Sequence, residues 1–408
     1  MYRKFTLDNG LRVITEYIPH VKSISIGIWI ETGSKHESPK NNGISHLIEH
    51  MLFKGTTTKS AREIAEQIDE IGGQINAFTS KECTCYYTKV LDSHYEIAIE
   101  LLSDMLFNSR FDNEDIEKEK GVICEEISMY EDSPEDLVHD ILYQSIFKGN
   151  ALGLPILGTK ESLNRISKKE ILDYMKKYYI PNNTVISIAG NFDEKKLFNT
   201  IQNEFGSWEK GLQIKTGGKI TDYHFDQSTR VKSVEQTHLC LGFKGIALGQ
   251  DEVYPLLVVN NILGGSMSSR LFQNIREERG LAYSIYSYPS TYKQGGLLTI
   301  YAAMNPNALE EVRELILGEL ENLVRDGLTK SELNKSREQL KGNYILGLES
   351  TSSRMSSIGR SELLLRRVHS PEQIIEKIDN VGMKDIEAVY EKVINLNNIA
   401  SSIVGNIG

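Results

Sequence analysis

KEILDYMKKYYIPNNTVISIAGNF, residues 169–192, aligns without gaps on KDIEAVYEKVINLNNIASSIVGNI, residues 384–407, at a constant offset of 215. Nine of the 24 positions are identical, including Asn182–Asn183 with Asn397–Asn398 and Gly190–Asn191 with Gly405–Asn406. Each copy reads as helix, turn and strand. A period this long exceeds the roughly 20–50-residue units of solenoids and points to a duplicated domain. The 408 residues then divide naturally into two domains, since a single core rarely grows past about 250–300 residues.

Working outward, Lys210 to Gln236 carries Gly211, Gly217 and Gly218 among polar residues without sustained periodicity, so a linker is assigned to 211–236 between domains 1–210 and 237–408. Alternating segments such as TVISIAG and GLLTIYAAM mix with helical patterns such as HYEIAIELLSDMLF and ALEEVRELILGELENLV in both halves. The expected class is α+β: two duplicated α/β-sandwich domains of similar fold, each a mostly antiparallel sheet covered by helices. With 40% hydrophobic and 25% charged residues and 9 prolines, the chain is neither collagen-like nor wholly disordered. A net charge of −10 opposes binding to phosphate backbones, so nucleic acid is not expected as a partner. The densest apolar run, Ser23 to Ile30, is far short of the ~18 residues that cross a bilayer, so no membrane span is expected. MYRKFTLDNGLRVITEY alternates around Asp8-Asn9-Gly10 and reads as a hairpin rather than a signal segment. Four cysteines, with Cys83 and Cys85 two apart on a strand, suit a reducing cytoplasm better than a disulfide framework.

NNGISHLIEHMLFKGT reads as a helix of about three turns ending at Gly55. With His46 as the origin and about 100° per residue, Glu49 and His50 fall at roughly 300° and roughly 40°, while Leu47, Ile48, Met51 and Leu52 occupy the opposite face. Two imidazoles one turn apart can chelate zinc, and the carboxylate beside them can take a proton from water. A bare His-x-x-Glu-His can equally be a solvated helix face, so a third ligand matters. In FDNEDIEKEKGVICEEISMYED, residues 111–132, Ile116, Ile123, Ile127 and Tyr130 define a buried stripe bordered by Glu119 and Glu126, whereas Glu125 lies opposite. A carboxylate facing inward needs a partner. A cation makes Glu126 the third ligand, with Glu119 behind the site; the alternative is a pair of boundary glutamates matched by Lys or Arg.

His46-Leu-Ile-Glu49-His50 with Glu126, 76 positions after His50, resembles the inverted zinc motif of the pitrilysin family of metallopeptidases, the inverzincins. GGQINAFTSKECTCYY, GVICEEISMYEDSPED and LGGSMSSRLFQNIREERGLAYSIYS extend the likeness over nearly the whole chain, and it is nearest the branch containing the mitochondrial processing peptidase β subunit and short bacterial relatives. The resemblance implies one zinc per chain on His46, His50 and Glu126, Glu49 as general base, and Glu119 as a further catalytic glutamate. It implies that Arg276 and Tyr283 bind substrate backbone and stabilise the oxyanion; taken alone they read as a solvated charge and a core aromatic. Asn76, Ala77 and Phe78 resemble the family's substrate-binding edge strand, although an ordinary strand fits them too. The Gly264-Gly265 loop reads as a tight turn in preference to a substrate flap.

Shifted by 215, His46, Glu49, His50 and Glu126 become Asn261, Gly264, Gly265 and Lys341, so the second half cannot repeat the metal site. The expected function is a zinc-dependent metalloendopeptidase acting on peptides or unstructured polypeptide segments. Longer relatives close a chamber with four such domains, so the resemblance implies a homodimer here. A non-catalytic scaffold or assembly subunit of the same fold is the competing expectation.

Overall fold

The computed structural model describes residues 2–212, 220 and 222–406; Gly217, Gly218 and Ile407 lie outside the described residues. The first half of the chain runs through β1 (Tyr2–Thr6), β2 (Arg12–Tyr17), β3 (Ser23–Ile30), α1 (Ile44–Met51), α2 (Ala61–Glu70), β4 (Gln74–Thr79), β5 (Thr84–Leu91), α3 (Tyr95–Asn108), α4 (Asn113–Asp132), α5 (Pro134–Ile146), α6 (Lys160–Arg165), α7 (Lys168–Tyr178), β6 (Thr184–Gly190) and α8 (Glu194–Phe205). The second runs through β7 (Gln227–Val231), β8 (Thr237–Lys244), α9 (Val253–Leu263), β9 (Ala282–Tyr292), β10 (Gly295–Met304), α10 (Leu309–Asp326), α11 (Lys330–Gly347), α12 (Thr351–Leu365), α13 (Pro371–Asp379), α14 (Met383–Val393) and β11 (Ala400–Gly405).

One sheet has the order β1-β2-β6-β3-β5-β4 and the other β7-β11-β8-β10-β9. In each a single pair is parallel, β2 with β6 and β7 with β11, and the remaining pairs are antiparallel. The mostly antiparallel, duplicated α+β architecture is therefore as expected. Adding 215 to Arg12 of β2 gives Gln227, the first residue of β7. This strand lies inside the 211–236 stretch assigned to the linker. Its residues QSTRV are mostly exposed at a sheet edge, so they lack the alternation that reveals a half-buried strand.

The chain forms two compact units, each assembled from three segments: 2–127, 154–212 and 346–370 in one, 128–153, 222–345 and 371–406 in the other, with residue 220 also in the second. The units thus differ from a division at 210 and 237. In the first unit β3 is buried on both faces, which explains its unbroken apolar run. Ile24, Ile26, Ile28 and Ile30 enter a core with Leu47 and Ile48 of α1, Ile99 and Leu102 of α3, Ile123 of α4 and Ile171 of α7. Ser25, Gly27 and Trp29 face α12 instead. Ser25 Oγ lies 2.9 Å from Thr351 Oγ1. A Cβ on Gly27 would lie 2.4 Å from Met355 Sδ, and one on Gly359 2.3 Å from Trp29 Nε1, so two glycines let α12 close onto the sheet. Arg12 Nη1 donates to the Glu362 carboxylate at 3.0 Å and fastens the end of the helix.

In the second unit α5 takes the corresponding place. Leu137, Val138, Leu142 and Ile146 pack with Cys240, Tyr301, Ala400 and Val404. The opposite face of the sheet, through Leu239, Leu241 and Phe243, packs with α9, α10 and α14. Gly242, the repeat equivalent of Gly27, brings β8 against Leu142: a Cβ added to this glycine would lie 3.0 Å from Leu142 Cδ1. Moved back by 215, Thr351–Leu365 becomes 136–150 and overlaps α5. The two repeats have exchanged equivalent helices, a pairing that periodicity cannot reveal because it identifies a buried face and not the segment covering it.

Two local readings change. The helix carrying His46 spans eight residues and ends at Met51, because the chain turns through Leu52 and Phe53 toward Gly55, whose φ is +108°. Tyr130 is 47% exposed, so the buried stripe of α4 stops before it. Among the described residues no helix is long and apolar enough to cross a membrane. None of the four cysteines is joined in a disulfide.

Candidate metal centre

The first turn of α1 is held by a carboxylate from outside the helix. Gly43, which precedes it, has φ +93° and no side chain with which to cap. Buried Glu37 serves instead: Oε2 accepts from Gly43 N at 2.7 Å and Asn42 Nδ2 at 2.8 Å, and Oε1 accepts from Ser45 N at 2.9 Å. Beyond this anchor, Leu47, Ile48 and Met51 lock one face into the core. The opposite face presents His46, Glu49 and His50.

Glu126 of α4 meets the two imidazoles. Its Oε2 lies 3.9 Å from His46 Nε2 and its Oε1 3.7 Å from His50 Nε2. These separations are too long for hydrogen bonds, but they converge on one point: ligand atoms from His46, His50 and Glu126 all lie within 4.8 Å of one another. Two imidazole nitrogens and one carboxylate form the three-ligand set of a catalytic zinc site, with a position left open. Burial and the neighbouring His50 hold His46 down at about 4, so near neutrality it is an uncharged imidazole, the form in which a histidine can ligate a metal.

Glu119, two turns before Glu126, is buried; its Oε2 lies 3.0 Å from His50 Nδ1, and its Oε1 2.7 Å from Lys54 Nζ. Accepting the Nδ1 proton leaves His50 Nε2 free to face Glu126. Glu119 thus has the lysine partner that the ion-pair alternative expects and also contacts the side of His50 turned away from Glu126. Glu125 is exposed on the other side of α4. Glu49 is held by Thr79, the last residue of β4, whose hydroxyl donates to Oε2. Burial pushes the Glu49 pKa up, and the Thr79 bond pulls against it. Lys54 and Thr79 were not singled out from the sequence. Lys54 lies past the end of α1, outside the helical period, and a threonine closing a strand carries no signal of its own.

Asn76, Ala77 and Phe78 lie on β4, the edge strand next to β5. Ala77 packs toward the core, whereas Phe78 is partly exposed with its ring centroid 5.5 Å from that of Trp29. Arg276 and Tyr283 belong to the second unit. Arg276 lies on the π-helical turn Phe272–Glu277, and Tyr283, 74% exposed, is the second residue of β9. The Arg276 guanidinium carbon is 5.8 Å from the Tyr283 ring centroid and 4.7 Å from that of Phe272. The repeat equivalents of the metal ligands are engaged otherwise. Asn261 Nδ2 donates to Ser336 and Gln339, and Lys341 pairs with Glu338 and Asp379 at 2.7 Å each. Gly264 and Gly265 both donate from their backbone nitrogens to the Asn260 carbonyl, the geometry of a tight turn.

Residues 12–160 match the family described as Insulinase (Peptidase family M16), and residues 165–340 match the Peptidase M16 inactive domain. The chain is 50% identical over 394 residues to the uncharacterized zinc protease YmxG of Bacillus subtilis, covering 96% of both chains. It is 40% identical to an uncharacterized zinc protease of Streptomyces coelicolor over 96% of this chain and 87% of that one. Among solved structures, a protease from Helicobacter pylori superposes with a TM-score of 0.93 at 21% identity, covering 99% of each chain. A chain of complex III2 from Candida albicans does so with a TM-score of 0.86 at 23% identity, covering 99% of this chain and 96% of that one. The first matched region holds His46, Glu49, His50 and Glu126, the second holds their repeat equivalents Asn261, Gly264 and Gly265, and the chain belongs to peptidase family M16, the insulinase family of metallopeptidases.

Proposed function

We propose that this chain is a zinc-dependent metalloendopeptidase that cleaves peptides or unstructured polypeptide segments, with one zinc per chain. The observation that carries the reading is the convergence of His46, His50 and Glu126 beside Glu49, on the half of the duplicated chain that retains these residues. Zinc on this ligand set would supply Lewis acidity toward a scissile carbonyl and make water a stronger acid. Glu49, half-buried and with a raised proton affinity, takes the proton of the attacking water and returns it to the leaving amine nitrogen. Glu119 keeps His50 in the tautomer that presents Nε2. The family resemblance extends the proposal to peptide addition along β4 at Asn76, Ala77 and Phe78. It also assigns Arg276 to the substrate backbone and Tyr283 to the developing oxyanion, a donor worth about 3 kcal/mol in comparable sites.

The same resemblance leads us to propose a homodimer enclosing a chamber, which admits flexible chains and excludes folded ones, and the four cysteines, none in a disulfide, lead us to place it in a reducing cytoplasm. The test pairs zinc stoichiometry with cleavage of a peptide library by wild type, His50→Ala and Glu49→Gln. Wild type is expected to hold one zinc and cut peptides, His50→Ala to lose both, and Glu49→Gln to keep zinc with turnover lowered at least about 100-fold, as for loss of a general base. A wild type that is zinc-free and inert would leave the scaffold reading in its place.

A further inference from the structure

Glu49 and Thr79 join two pieces of the site that lie far apart along the chain: the helix with the metal-binding histidines and the end of the edge strand. Thr79 has one hydroxyl proton and two neighbours that could take it, Glu49 Oε2 and Thr84 Oγ1, the latter at 3.4 Å. Thr84 is fully buried, stands opposite Thr79 in the β4–β5 register, and donates its own proton to the Thr32 carbonyl at 3.0 Å. Thr84 therefore has no proton to offer Thr79. The carboxylate is the stronger acceptor, so the Thr79 proton goes to Glu49.

The anchoring continues behind this pair. Thr32 Oγ1 lies 2.7 Å from Tyr174 OH, which lies 3.0 Å from Ser45 Oγ on the first turn of α1. Hydrogen bonds thus run from the start of this helix through Tyr174 and Thr32 to Thr84, the residue opposite Thr79 in the β4–β5 register. A carboxylate held through Oε2 keeps its other oxygen available, and its side chain stays in one rotamer.

We infer that Thr79 is a positioning residue for the reaction, its hydroxyl fixing the Glu49 carboxylate so that Oε1 faces the water. This rests on the reading of the site as a peptidase, yet the Thr79–Glu49 link can be measured without turnover. Thr79→Val retains shape and strand propensity while removing the donor, and Thr79→Ser restores it.

The experiment has two arms. In steady-state peptide cleavage, Thr79→Val is expected to lower kcat about 10–100-fold with little change in KM or zinc content, and Thr79→Ser to recover activity to within about threefold of wild type. In the metal-free protein, a double-mutant cycle of Thr79→Val with Glu49→Ala, read by urea unfolding, is expected to show non-additive effects, and a crystal structure of Thr79→Val to show Glu49 in a changed or divided rotamer. Full activity in Thr79→Val, or an additive cycle with Glu49 unmoved, overturns the inference while leaving a zinc peptidase intact. If wild type neither binds zinc nor cleaves, the peptidase reading fails, and with it the positioning role.

Discussion

Replacing Glu37 by Gln tests whether α1, the helix of His46, Glu49 and His50, is anchored from outside its own first turn. Both Glu37 oxygens are engaged, Oε1 by Ser45 N–H and Oε2 by Gly43 N–H and Asn42 Nδ2, and the Ser45 side chain also hydrogen-bonds the carboxylate. An amide NH2 must replace one oxygen and so confront a donor. The better orientation sets it against Ser45 and leaves that buried N–H unpaired, a loss of about 1–3 kcal/mol. The two remaining bonds change from a charged to a neutral acceptor, each weakening by about 1 kcal/mol. Against this, burial pushes the Glu37 pKa up, so a neutral side chain recovers part of the loss. The expected destabilisation is about 2–4 kcal/mol, measured by urea unfolding of chelator-treated protein near neutral pH. Because the helix carries His46, Glu49 and His50, zinc affinity should fall as well, read by competition with a chromogenic chelator. A Glu37→Gln protein within about 0.5 kcal/mol of wild type, a change typical of an unremarkable surface site, would mean that α1 holds its place without this carboxylate.

Two more outcomes are expected. Burial holds His139 of α5 down at about 4, below the ordinary value of 6.5; the unfolded chain therefore binds the proton first, and stability falls as pH drops through the window from 6.5 to 4. Between about pH 7 and about pH 5 this amounts to about 2 kcal/mol, and His139→Gln should flatten that part of the unfolding profile; an unchanged slope would show that other groups govern it. Gly359→Ala, a change that usually favours a helix by up to about 1 kcal/mol, should instead destabilise by about 1–3 kcal/mol through overpacking. The added methyl meets the indole of Trp29, which is pinned by its bond to Ser187; a raised melting temperature would show that α12 can shift to make room.

Much of the arrangement around the candidate metal centre was legible because one helical period decides it. The angles of His46, Glu49 and His50 on one helix, and of Glu126 rather than Glu125 on another, follow from the turn of an α-helix. Elements whose place depends on a distant partner were not legible. Glu37 caps a helix from outside its first turn with a side chain that could equally face solvent, Thr79 matters only because Glu49 is across from it, and β7 is a polar edge strand with no period to read. The constant offset between the two copies announced the duplication, but nothing in an apolar stripe says that α12 covers the sheet of the first unit.

That crossing has a consequence for synthesis on the ribosome. When β6 has been made, ending at Gly190, the first sheet is complete as a set of strands, yet the helix that shields one of its faces ends only at Leu365. At about 5–20 residues per second, making the stretch between those two residues takes roughly 9–35 s, during which Trp29 and its neighbours stay unshielded. The nascent amino-terminal portion would need a chaperone during that interval, and severing the polypeptide between its repeats would leave each fragment holding the cover that belongs to the other.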